Sequence, residues 1–144
     1  MTKQPFYDEI EVGDEISPLV KHPTTRQLVK WAGVNEDFYE LHYDKDFAQR
    51  RGFSGVIGHG PLGMCFLGQL LTDWVGTRAI IKKLDCKYKN VFYPGEDITA
   101  RGTVTKKYIQ NNEGYIECEI WLENPKGETV TSGEAVIVFP SKSS

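Results

Sequence analysis

The sequence is poor in the features on which disulfides, structural metals, membranes and nucleic acids depend. Its three cysteines, Cys65, Cys86 and Cys118, are odd in number and widely spaced. They match neither a disulfide framework nor the paired spacing of a zinc site. They read as reduced, small apolar side chains, with Cys65 and Cys118 expected in the core. There is no excess of positive charge, since 17 Lys and Arg stand against 20 Asp and Glu, a net charge of -3. That balance argues against nucleic acid as a partner, and any anionic ligand must be held locally. No apolar run approaches the ~20 residues that span a bilayer. The opening MTKQPFYDEIEVGDEI carries no apolar signal region. A cytoplasmic protein without a membrane partner is expected.

What remains is an ordinary globular composition, 40% hydrophobic and 26% charged over 144 residues, enough for one cored domain and too little for two. We expect that domain over 1–140, with the last four residues, SKSS (141–144), as a disordered tail. No internal repeat or interdomain linker interrupts it.

Thr24-Thr25-Arg26-Gln27 has the form of a capping box, and Leu28, Trp31 and Ala32 recur behind it at helical spacing. This predicts a short amphipathic helix over 25–33. A second short helix begins at Asp44 or Lys45, carries Phe47 and Ala48, and stops at Gly52. From Pro61 to Val75, Leu62, Cys65, Phe66, Leu67, Leu70, Leu71, Trp74 and Val75 cover nearly the whole circumference of a helix, which must therefore be buried. Gly63 and Gly68 inside it suggest a neighbouring backbone packed close by.

After Ile80 the period changes to two. Ile98, Ala100, Gly102 and Val104 alternate with polar residues, as do Ile116, Cys118, Ile120 and Leu122. The turn-forming stretches YPGED, NNEG and NPKG separate four strands at about 80–92, 98–110, 115–123 and 128–139. The links are too short for parallel crossovers, so the fold class is α+β, an antiparallel meander wrapped around the long helix.

The chemistry concentrates in EDFYELHYDKDFAQRRGFSGVIGHG, residues 36–60. Asp37 and His42 lie in a segment without helical period that can point both side chains into one small volume. His59-Gly60-Pro61 sets a glycine N–H at the start of the buried helix, where unpaired donors and partial positive charge can receive an oxyanion. A base, a carboxylate and such a donor are the parts required to add water across a carbon–carbon double bond next to a carbonyl. Each residue has a plainer role open to it as well: Asp37 as a cap, His42 as an edge imidazole, His59 as the brace of a tight turn. No role is assigned to His22. A metal site at Asp37, His42, Asp44 and Asp46 is discounted, because Asp44 and Asp46 suit the start of a helix without any ion.

With these pieces in this order the chain resembles the MaoC-like hydratases, a branch of the hotdog-fold superfamily that includes (R)-specific enoyl-CoA hydratases and 3-hydroxyacyl-ACP dehydratase subunits. The resemblance runs through EIEVGDEI (9–16), WAGVNEDFYELHYDKDFA (31–48), GFSGVIGHGPLGM (52–64), YPGEDITARGTV (93–104) and GEAVIVF (133–139). It implies a hotdog fold, and a catalytic role for Asp37 and His42, which hold and activate water. It implies the same for Gly60, whose N–H polarises the thioester carbonyl. Asp44 and His59 fall at motif positions that read as structural. In place of the family's Asn-Pro this chain has Tyr39-Glu40, and where some relatives have a serine it has Gly68.

The expected reaction is reversible hydration of a trans-2-enoyl thioester, carried on CoA or ACP, to the (R)-3-hydroxyacyl thioester, with no metal or redox cofactor. A thioesterase and a non-catalytic acyl-binding subunit of a heterodimeric dehydratase are the alternatives. The resemblance also implies a homodimer, or a heterodimer with a related subunit. Arg50, Arg51, Lys82, Lys83, Lys87 and Lys89 are candidates to meet the substrate's phosphates, though each reads individually as a solvated charge.

Overall fold

The alternating segments after Ile80 form antiparallel strands, and the apolar segment before them forms the helix they enclose. The structure, a computed structural model, describes residues 3–140, so the expected tail at 141–144 lies outside the described residues. The strands are β1 (Glu15–Lys21), β2 (Ile80–Tyr88), β3 (Ile98–Gln110), β4 (Glu113–Glu123) and β5 (Thr129–Phe139), and the helices are α1 (Thr25–Asn35), α2 (Lys45–Arg50) and α3 (Gly60–Val75).

The sheet has five strands in the order β1-β3-β4-β5-β2, every pairing antiparallel. This corrects the expected four-stranded meander in two respects. The additional strand, EISPLVK, contains Pro18, and the β1–β3 register slips between Ile16 and Leu19. Proline is tolerated at such a bulge on an edge strand, and it is also what hides the strand from a periodicity reading. The strand after the long helix ends at Tyr88 rather than 92 and lies beside β5, so residues 89–97 carry the chain across to β3.

The inward faces follow the alternation. Ile98, Ala100, Val104, Ile116, Cys118, Ile120 and Leu122 are all buried against α3, whose Leu67 and Leu71 are fully enclosed. Each such Leu or Ile contributes on the order of 1.5–3 kcal/mol relative to exposure. Burial pushes the Cys118 thiol up to about 12. This is the hotdog arrangement, a curved sheet around one long helix.

α3 is not covered all round. Cys65 is exposed, contrary to expectation, because it shares with Gly68 and Thr72 a helix face that the sheet does not reach. A Cβ at Gly68 would meet nothing within 4 Å, and one at Gly63 would meet the Leu122 side chain at 3.0 Å. Neither glycine therefore admits a neighbouring backbone.

Two asparagines make the tight β3–β4 hairpin, with Asn111 and Asn112 at φ 50° and 62°. Such paired left-handed residues match the twist of the strands they join.

Candidate active site

The termination of α1 places Asp37. Thr24 caps the helix start by accepting from the Gln27 N–H at 3.2 Å. At the other end Glu36 adopts a left-handed conformation, φ 54°, and the N–H groups of Glu36 and Asp37 both return to the Ala32 carbonyl. A left-handed non-glycine residue carries roughly 1 kcal/mol of strain. Here it swings the chain off the helix so that Asp37 sits half-buried on the loop that follows.

His42 ends a 3-10 turn over Glu40–His42 that the sequence did not foretell. The loop lacks the family's proline, but it is tied down otherwise. The Tyr43 and Asp44 N–H groups both donate to the Glu40 carbonyl. The Tyr39 ring stands edge-on to both His42 and Phe47, with centroids at 6.2 and 5.9 Å. Asp44 is the N-cap of α2, its carboxylate accepting from the Phe47 N–H at 3.0 Å.

The two histidines are brought face to face, with ring centroids 3.8 Å apart and 22° between planes. Their main-chain partners fix their tautomers, because a carbonyl can only accept. His42 Nδ1–H donates to the Ile57 carbonyl at 2.8 Å, which leaves Nε2 with a free lone pair. His59 Nε2–H donates to the Asp37 carbonyl at 3.3 Å. His59 is fully buried, and burial first, then the neighbouring His42, holds its pKa below the ordinary histidine value. Its Nδ1 is buried with no hydrogen-bond partner among the described residues.

The segment leading to His59 is tied down by main-chain hydrogen bonds. The Ile57 N–H reaches the Leu41 carbonyl at 3.0 Å, and the Gly58 N–H reaches the Phe92 carbonyl at 2.7 Å. The chain then enters α3 at Gly60, one residue before the expected Pro61, with His59 as an N-cap whose side chain makes no capping bond. The first bond back into the helix runs from Gly63 to the His59 carbonyl. The Gly60 N–H meets no acceptor among the described residues. Such an orphan donor at the positive end of a 16-residue helix is a seat for negative charge. The Tyr88 ring lies against Gly60, so that a Cβ there would come within 3.0 Å of it.

The structure thus brings together Asp37, His42 and His59, with one potential ligand atom from each within 4.8 Å of the others. Their arrangement is poor for a shared metal ion. Imidazole lone pairs lie in the ring plane, and two stacked rings direct them side by side rather than toward a common point ~2 Å away.

A cleft of about 870 Å³ opens beside His42, lined in part by Val29, Tyr43, Val56, Tyr93, Lys45 and Lys126. The expected cations are elsewhere. Arg50 and Arg51 lie over the Phe47 ring, Lys82 donates to the Tyr115 hydroxyl, and Lys83 pairs with Asp85. Lys87 and Lys89 line a separate cavity along β2. Lys45 and Lys126 were not singled out from sequence, and 81 positions separate them, so no local signal joins them. The His42–His59 stack and the Tyr88–Gly60 contact were missed for the same reason.

Comparison with known proteins gives one family and several relatives. The family model described as MaoC like domain matches residues 9–120. The (R)-specific enoyl-CoA hydratase of Aeromonas caviae is 28% identical over 132 residues, covering 91% of this chain and 96% of that protein. The 3-oxo-4,17-pregnadiene-20-carboxyl-CoA hydratase beta subunit of Mycobacterium tuberculosis is 27% identical over 105 residues, covering 73% and 78%. Among solved structures, the unliganded R-hydratase PhaJ1 from Pseudomonas aeruginosa superposes with a TM-score of 0.84 at 24% identity, over 94% of this chain and 86% of that one.

Proposed function

Because the chain belongs to the MaoC like domain family, we propose that it adds water reversibly to a trans-2-enoyl thioester, giving the (R)-3-hydroxyacyl thioester. The observation that carries this reading is the tautomer of His42. Anchored through Nδ1–H on the Ile57 carbonyl, its Nε2 is free to act as a base beside the Asp37 carboxylate. In the hydration direction the water oxygen bonds to C3 while a proton passes to the Asp37–His42 pair. The C2–C3 π electrons move toward the carbonyl, whose developing oxyanion takes the Gly60 N–H. A proton returned from the pair to C2 then restores the thioester. General acid–base assistance of this kind contributes typically ~10²–10⁴ in rate. No metal or redox cofactor has a part in the scheme.

The thioester arm has room in the cleft beside His42, where Lys45 and Lys126 offer positive charge to a phosphate-bearing carrier, CoA or ACP. Two copies would pair through the free edge of β2, where Ile80 and Tyr88 are exposed. A second arrangement is suggested by the mycobacterial relative, named as a subunit of a hydratase, and by the ChsH1-ChsH2 complex, which superposes at a TM-score of 0.78 with 21% identity. Light scattering on the protein expressed alone separates the two, since a stable homodimer is expected and a lone or aggregating subunit favours the heteromer.

The deciding assay follows loss of enoyl absorbance from crotonyl-CoA and a longer trans-2-enoyl-CoA. Wild type is expected to consume substrate and yield the (R)-product, whereas folded Asp37→Asn and His42→Ala lose roughly 10²–10⁴ in kcat. Activity that survives both substitutions, or release of free thiol in place of hydration, would reject the assignment.

A further inference from the structure

The geometry points to His59 as a positioning residue of this site, one neutral ring that orients both Asp37 and His42. The inference rests on the hydratase reading and adds to it a residue that touches no substrate.

His59 makes one contact with each proposed catalytic residue and none that a purely local brace requires. As the N-cap of α3 its side chain could accept from the helix's own N–H groups, but it makes no capping bond. Its hydrogen bond leaves the turn altogether and runs to the Asp37 main-chain carbonyl. That contact restrains the backbone on which the Asp37 carboxylate is mounted, next to the strained left-handed Glu36. The face of the same ring lies on His42 at 3.8 Å. His42 is then held twice. The bond to Ile57 fixes its position in the ring plane, and the stack fixes its tilt, so Nε2 has one direction left to point. A fully buried side chain normally pairs its polar atoms, yet Nδ1 of His59 has no partner among the described residues. The side chain is not spent on the helix cap, and its two contacts, with the Asp37 carbonyl and the His42 face, both lead to the proposed site.

The role requires a neutral ring. The titratable groups facing His59 are His42 from the 3-10 turn and Asp37 from the loop after α1. Two stacked imidazolium rings would repel at close range, and burial already disfavours charge on His59. The structure therefore assigns opposite tautomers to the pair, Nδ1–H on His42 and Nε2–H on His59.

Two variants separate the contacts. His59→Phe keeps a flat ring for the stack and loses the donor, while His59→Gln can reach the Asp37 carbonyl and loses the ring. With crotonyl-CoA, each is expected to lower kcat by about 10–100-fold while KM moves less than about threefold, the signature of a misaligned site. Folded variants with wild-type kcat, or with a loss confined to KM, overturn the proposal. An inactive wild type sinks the hydratase reading itself, and the positioning role falls with it. If neither variant folds, ¹⁵N NMR of the wild-type imidazoles decides. A neutral Nε2–H tautomer of His59 throughout the active pH range supports the role, and an Nδ1–H or charged His59 refutes it.

Discussion

The sharpest test of the oxyanion assignment is a substitution that deletes the Gly60 N–H. Gly60 is the first residue of α3, so its N–H has no intrahelical acceptor, and none is found elsewhere among the described residues. Proline at that position deletes the N–H without breaking a backbone bond, and its fixed φ suits the first helical turn. The residue before it must be extended, and His59 already is, at φ -68° and ψ 131°. The added Cβ meets Cε2 and Cζ of Tyr88 at 3.0 Å. Gly60→Ala brings the same Cβ but keeps the N–H, so it is the reference for that carbon, while the rest of the proline ring stands where the N–H pointed. The Tyr88 ring must yield a few tenths of an ångström in either variant. Loss of one oxyanion donor costs ~10²–10³ in kcat, about 2.7–4 kcal/mol of transition-state stabilisation. We therefore expect Gly60→Ala to retain activity within about tenfold and Gly60→Pro to fall a further ~10²–10³ below it. Residue 60 is helical and precedes Pro61, a position where a side chain is disfavoured, so both variants should melt below wild type and by similar amounts. The assay is the disappearance of the enoyl band of crotonyl-CoA. If folded Gly60→Pro turns over as fast as Gly60→Ala, the thioester oxygen is not held by this N–H.

Three further outcomes follow from the packing and the buried imidazole. Gly58→Ala would bring its Cβ within 2.0 Å of the Phe92 ring, which is 2% exposed and fixed through its own carbonyl, so chemical denaturation should show a loss of ~1–3 kcal/mol or more. The double variant with Phe92→Leu should lose less than the sum of the two single changes, and strict additivity would contradict the contact. Gly68→Ala places a methyl group in open space within a helix, and a gain of up to ~1 kcal/mol is expected, or a few degrees in Tm; a fall in Tm would mean that another chain lies on that face. For His59 the folded pKa is below the unfolded one, so its contribution to stability is complete above the unfolded value near ~6.5 and is lost as pH falls below it, by up to ~1.4 kcal/mol per pH unit. Urea unfolding at pH 7.5 and 5.5 should show this loss, and His59→Gln should reduce it.

The parts of the fold written in local pattern were legible, and those set by distant partners were not. The inward series from Ile98 to Val104 and from Ile116 to Leu122 could be read from alternation alone, because a strand with one buried face must repeat with period two. β1 escaped because Pro18 and its bulge break that period in the middle of a seven-residue strand. The exposure of Cys65 escaped because hydrophobicity around a helix tells which residues can be buried, while the reach of the sheet decides which are. The place of β2 next to β5 was beyond any local signal, as sequence order and sheet order diverge there.

The same distinction applies within the site. Asp37, His42 and Gly60 were recognisable as residue types at a characteristic spacing, but spacing is silent about ring planes and tautomers. Those depend on the carbonyls of Ile57 and Asp37, which any residue at either position would supply. A main-chain acceptor leaves no mark in the sequence, and the orientation of the His42 ring is set by just such an acceptor. Tyr39 illustrates the converse. It stands where the family has a rigid Asn-Pro, and its ring packs edge-on to both His42 and Phe47. Rigidity built into the covalent backbone elsewhere in the family is here supplied by side-chain packing and a 3-10 turn. The motif can therefore diverge at Tyr39-Glu40 while the imidazole it presents stays oriented by the Ile57 carbonyl on one side and the His59 ring on its face.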